Sequence, residues 1–139
     1  MQALQIQALS PDLSGCALVE LPAPDPATDQ VLVRVRAASL NFPDLLMTRG
    51  EYQLKPPLPF VPGMDFAGVV VESAGGFAAG DEVVGATRLG AFAETVAVDA
   101  AALHPKPAAL DFAVAASYGA AYLTAYVALV ELGGLEAGQ

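Results

Sequence analysis

Eleven prolines and thirteen glycines cut this chain into short runs. No other feature restricts its fold as much. Many short strands with turn signals between them predict a barrel or sandwich rather than a parallel sheet. The punctuation is densest from Asn41 to Gly68, NFPDLLMTRGEYQLKPPLPFVPGMDFAG. There a short helix is expected between proline loops, followed by a strand that runs out through glycine. Asn41, Asp44, Tyr52 and Asp65 are spaced along this otherwise apolar stretch. Chains place such polar groups on loops held by a rigid scaffold where something is to be bound.

The remaining elements follow from local pattern. Gln2 to Leu9 and Cys16 to Leu21 read as strands on either side of the turn at Pro11 to Gly15. Val31, Val33 and Val35 alternate with Leu32, Arg34 and Arg36, a period of two that predicts a strand with one buried face and outward arginines. Asn41 stops that strand. Pro43 suits a first helical turn, Asp44 suits the helix dipole and Gly50 is a natural C-terminal cap. Phe66 to Ser73, Glu82 to Gly85 and Ala91 to Val98 are further strands, with Gly75-Gly76 turning the chain. After Pro107 the character changes. Asp111 caps a helix over Phe112 to Ala116, and a second helix runs from about Ala121 to Leu132.

With 139 residues, 55% hydrophobic and 15% charged, the chain has about one domain's length and the material for a core. Its formal net charge of -9 argues against nucleic acid and against anionic lipid as partners. The single cysteine, Cys16, excludes an internal disulfide and a cysteine-built zinc site. The N-terminus has no basic region and no long apolar core, so it does not read as a secretory signal. The apolar stretch Ala113 to Val130 is interrupted by Ser117, Tyr118, Gly119 and Thr124, and is expected to fall short of a membrane span of about 20 residues. A soluble, cytoplasmic protein is expected.

Machinery for nucleotides is missing from the sequence. Gly75-Gly76 and Gly133-Gly134 do not have the spacing of a dinucleotide loop, and no Lys or Arg follows Lys106. The only histidine, His104, stands before Pro105 in an expected loop without partners for a metal or a triad. What remains is a polar set: Asn41, Tyr52, Asp65 and Thr124. Asn41 has amide N–H donors to orient a carbonyl, and Tyr52 has a hydroxyl to donate. The structural alternative is equally concrete. Asn caps helices, and Tyr commonly buries its ring with the hydroxyl satisfied.

The runs VLVRVRAASLNFPDLLMTRGEY, PFVPGMDFAGVVVE, GDEVVG, GAFAETVAV and AASYGAAYLTAYVALVELGGLEAGQ occur in that order. Together they resemble the N-terminal part of the medium-chain dehydrogenase/reductase superfamily, in its zinc-free quinone oxidoreductase branch (zeta-crystallin-like). The resemblance implies a mainly β fold. It would be a GroES-like, partly open β-barrel over residues 1–110, with a short helix after Asn41. Residues 111–139 would be a helical connector towards a Rossmann domain that this chain lacks, so a fragment or cut domain of a longer enzyme is expected. Zinc-dependent relatives have a cysteine ligand and a His-Glu pair where this chain has Asn41 and Met64-Asp65, so no catalytic metal is expected. The resemblance implies Asn41 and Tyr52 as catalytic contacts, with Phe42 and Thr124 against the cofactor. It implies NADPH as hydride donor in the full-length enzyme, a quinone or enone as acceptor, and a homodimeric parent. An enoyl-CoA (acryloyl-CoA type) reductase fragment and a non-enzymatic GroES-like binding module are the alternatives. By itself, this chain is expected to be inactive and not to bind NADPH measurably.

Overall fold

A computed structural model describes residues 1–138. Two antiparallel sheets organise it. The first is a hairpin of β1 (Gln2–Ile6) and β2 (Cys16–Glu20). The second has five strands in the order β6-β3-β4-β5-β7: β3 (Gln30–Ser39), β4 (Asp65–Val70), β5 (Glu82–Ala86), β6 (Thr95–Asp99) and β7 (Leu103–Pro105). Every pairing is antiparallel. The sheet curls into a half-barrel. The hairpin joins it sideways, because Leu4 N–H donates to the Phe92 carbonyl and Ile6 exchanges hydrogen bonds with Phe60. This is the mainly β, partly open barrel that the resemblance implied, within the barrel-or-sandwich class expected from the turn signals.

The alternation in β3 does what its period dictates. Val31 and Val33 are fully buried, while Arg34 and Arg36 are exposed. The two valines pack with Phe66, Val70, Val83, Val96, Val98 and Leu103 into one core. Truncating a side chain such as Phe66 to Ala there would cost about 3–5 kcal/mol. The register of β3 against β4 shifts between Val35 and Ala37, a bulge. Gly68 sits beside it, where a Cβ would run into the Arg34 carbonyl oxygen, so the close backbone approach needs glycine.

Three elements depart from the sequence pattern. Ala91 to Ala93 stand outside the β3–β6 ladder: Ala91 and Phe92 N–H groups bond instead to the Gly63 and Pro62 carbonyls, only the Glu94 carbonyl accepts from β3 (Val35 N–H), and β6 begins at Thr95. His104 lies in a strand, β7, rather than in a loop, because Val84 of β5 pairs with it. The two expected C-terminal helices are one, Phe112–Leu132. It begins as α2 (Phe112–Ser117), widens into a π turn at Tyr118–Tyr122, tightens as α3 (Leu123–Tyr126), and widens again at Val127–Leu132. The apparent break around Gly119 is thus a widened turn. Joined in this way, the helix has 21 residues and a mean hydropathy of 1.5, long and apolar enough by length and composition to cross a membrane. That corrects the expectation that this stretch falls short of a span. Its first turns are docked: Ala115 and Ala116 are buried against Ala67 of β4, with Ala37, Val84 and Phe112 around them.

Candidate active site

The site is built where β3 ends. Asn41 is extended (φ -115°, ψ 162°) and stands before helix α1 (Phe42–Arg49). Pro43 occupies the first turn, and Gly50, left-handed at φ 71°, closes the helix with its N–H on the Met47 carbonyl. Asp44 is 2% exposed and is held by two backbone donors. The Asn41 N–H donates to its Oδ2 at 2.8 Å, and the Gly63 N–H to its Oδ1 at 3.1 Å. One carboxylate therefore ties the start of α1 to the proline loop that precedes β4. Burial pushes the Asp44 carboxyl above its ordinary 3.8; the two N–H donors pull it down, and the nearby Asp65 charge adds to the rise.

Asp65, 6% exposed, takes the other side of Asn41. Its Oδ2 accepts the Asn41 Nδ2–H at 2.9 Å and the Ala120 backbone N–H at 3.2 Å. Gly119 makes that second bond reachable, since a Cβ there would stand 3.2 Å from Asp65 Oδ1. The remaining Nδ2 hydrogen points towards the Ser39 carbonyl at 3.5 Å, a weak contact. Asn41 faces the Asp44 N–H as in a capping box, but that N–H bonds to the Asn41 backbone carbonyl at 3.0 Å. The Asn41 Oδ1 accepts no hydrogen bond among the described residues and is not sealed from solvent. In this structure one Asn41 N–H is taken by a carboxylate, the other faces the Ser39 carbonyl, and the amide oxygen is an unbonded acceptor.

A cavity of about 490 Å³ lies between the long helix and strands β4, β5 and β7. Asp65 and His104 supply polar groups in a lining otherwise dominated by Phe66, Val84, Leu110 and Leu123. Tyr52 is elsewhere. Its ring packs with the Ile6, Met47 and Phe60 cluster, and it lines a separate pocket of about 280 Å³ with Met64 and Arg88. Phe42 is 72% exposed, and Thr124 is exposed on α3. So the structure joins Asn41, Asp65 and the Gly119–Ala120 backbone by hydrogen bonds or close approach. It does not bond Tyr52, Phe42 or Thr124 to them. Among the described residues, no group of three or more His, Cys, Asp or Glu is arranged to hold a metal ion.

The pattern of the alcohol dehydrogenase GroES-like domain matches residues 27–108. The synaptic vesicle membrane protein VAT-1 homolog of Mus musculus is 44% identical over 120 residues, which are 84% of this chain and 29% of that protein. Among solved structures, a probable oxidoreductase from Mycobacterium abscessus superposes with a TM-score of 0.93 at 42% identity, covering 100% of this chain and 45% of the other. The quinone oxidoreductase from Thermus thermophilus, described also in its complex with NADPH, superposes with a TM-score of 0.82 at 36% identity over 96% of this chain and 41% of its own. The chain thus spans less than half the length of these relatives.

Proposed function

The chain belongs to the medium-chain dehydrogenase/reductase superfamily, among its quinone oxidoreductase-like members, and from that premise we propose that it forms the substrate-side half of an NADPH-dependent, zinc-independent quinone or enone reductase. The observation that carries the proposal is Asn41, a half-buried residue whose backbone N–H donates to the buried Asp44 and whose side-chain amide donates to the buried Asp65, with the amide oxygen left open.

The residues present fit one end of a dinucleotide only. Asn41 Oδ1 would accept from a carboxamide or ribose hydroxyl, and Thr124 and Phe42 would offer a hydroxyl and an apolar ring. No Lys or Arg follows Lys106, so the long helix offers the phosphates no cation, and in the proposed parent protein another domain would take them. When bound, the reduced nicotinamide supplies the hydride. This chain's contribution is positioning. Asp44 and Asp65 fix Asn41, and Asp65 also lines the neighbouring cavity, whose apolar residues Phe66, Val84, Leu110 and Leu123 would hold an apolar acceptor beside it. The Thermus relative's NADPH complex supports the choice of cofactor. The same reading divides the chain into a catalytic domain over residues 1–110 and a connector over 111–139. It assigns Tyr52 to the substrate side and makes the parent a cytoplasmic homodimer acting on a small molecule.

The test is steady-state NADPH oxidation by the parent protein with a panel of quinones, enones and enoyl-CoA thioesters. Turnover of quinones or enones well above that of the thioesters is expected. Preference for the thioesters would move the substrate assignment, and inactivity with the whole panel would remove the reductase reading.

A further inference from the structure

We propose that Asp65 is a positioning residue that sets the polarity of Asn41, so that the site selects ligands presenting an N–H or O–H donor. The inference rests on the reductase reading for the identity of that ligand, but its structural half stands without it.

Three observations support it. First, Asp65 Oδ2 already accepts the Ala120 backbone N–H, which can only donate, at 3.2 Å. Turning the Asn41 amide over would set its Oδ1 against that same carboxylate oxygen at about the 2.9 Å now spanned by Nδ2, two acceptors in contact. The amide is therefore held one way. Second, both Nδ2 hydrogens point inward, to Asp65 and towards Ser39, and only Oδ1 remains for a ligand. Third, Asp65 joins the amide to the widened turn of the long helix at Tyr118–Tyr122. A π turn spreads the N–H groups, and the carboxylate takes one of them. Gly119 lets the helix come that close. Orientation of the side chain and seating of the helix are thus one event.

The experiment uses the 139-residue chain, labelled with nitrogen-15. Without ligand, the Asn41 side-chain amide and the Ala120 backbone amide are followed by NMR and hydrogen exchange in wild type and Asp65→Asn. Expected are a displaced, slowly exchanging Asn41 Nδ2–H in wild type and at least about tenfold faster exchange at both sites in the variant. Unchanged exchange at either site in a folded variant overturns the proposal. If Asp65→Asn does not fold, Gly119→Ala serves instead. It keeps the Asp65 and Asn41 side chains chemically intact while its Cβ presses on the Asp65 carboxylate, and it is expected to speed Ala120 exchange by pushing the helix off; an unaltered Ala120 overturns the proposal.

The second arm titrates nicotinamide and methyl nicotinate into the parent protein, where both walls of the site are present; the two probes share a ring but differ in having or lacking N–H donors. Wild type should bind nicotinamide about fivefold more tightly, one hydrogen bond's worth, and Asp65→Asn should lose that preference. Equal binding of the two probes by wild type overturns the selectivity. Tight exchange protection with no shift at Asn41 from either probe counts against the reductase reading while leaving the positioning role of Asp65 supported.

Discussion

Asp44 shows how much of the site rests on single residues. Two N–H groups, the half-buried one of Asn41 and the buried one of Gly63, have its carboxylate as acceptor. Asp44→Ala leaves both without one, and we expect a loss of about 2–4 kcal/mol in urea unfolding. Its titration gives a sign. Because burial raises the folded-state value above 3.8, the fold binds the proton more tightly than the unfolded chain does. The Asp44 contribution is therefore greatest below that value, falls as pH rises through the raised one, and is flat above. Measured against the non-titrating Asp44→Asn variant, wild type should lose relative stability across that acid window and show no further change near neutrality. Gly119 makes the complementary case. Alanine is the better helix former by about 0.8–1 kcal/mol, yet its Cβ would press on an Asp65 carboxylate fixed by two hydrogen bonds. Gly119→Ala should accordingly lower the midpoint of thermal unfolding rather than raise it. At this scale the sequence identified the polar residues but not their partners. Asp65 meets Ala120 across 55 positions of chain, and no local pattern reports that contact.

The elements were more legible, for reasons that can be named. The valine alternation of β3 and the Asn-Pro-Asp start and Gly end of α1 are local signals, and both elements formed where those signals put them. The strand β7 and the unbroken helix were not legible. A three-residue strand is defined by its partner β5 rather than by its own pattern, and a π turn at Gly119 looks like a stop when only intrahelical preferences are weighed. One lysine secures the long helix to the sheet. Lys106 Nζ is 3.0 Å from Glu82, 2.5 Å from the Leu110 carbonyl and 5.2 Å from the centre of the Phe112 ring. The Lys106 side chain is 5% exposed, but its Glu82 partner is 52% exposed, so solvent screens the ion pair and the carbonyl and ring contacts carry most of the attachment. Arg36 lies over the same ring at 5.9 Å, giving one aromatic side chain two cations. Lys106→Met keeps the apolar stem and removes the charge. It should cost about 1–3 kcal/mol and speed amide exchange over Phe112–Ser117 before the β strands are affected, as hydrogen exchange would show.

For the whole molecule, the long helix is the unbalanced part. Past the docked alanines it presents Tyr122 at 60%, Leu129 at 54% and Leu132 at 82% exposure, an apolar face without a partner within the described residues. Faces of that kind drive association. The isolated chain should self-associate with rising concentration in sedimentation velocity, and a Leu129→Lys, Leu132→Lys double variant should remain monomeric. Asn41 reaches the start of this helix through Asp65 and the Ala120 N–H, and in the proposed reaction the exposed face would be covered by a second wall. That division of labour leads to the most direct measurement: stopped-flow hydride transfer from NADPH to a quinone in the parent protein, comparing wild type with Asn41→Leu. If the locked amide orients the reacting groups, the transfer rate falls about a hundredfold while the quinone KM barely moves. A rate within a factor of about two of wild type would contradict the account.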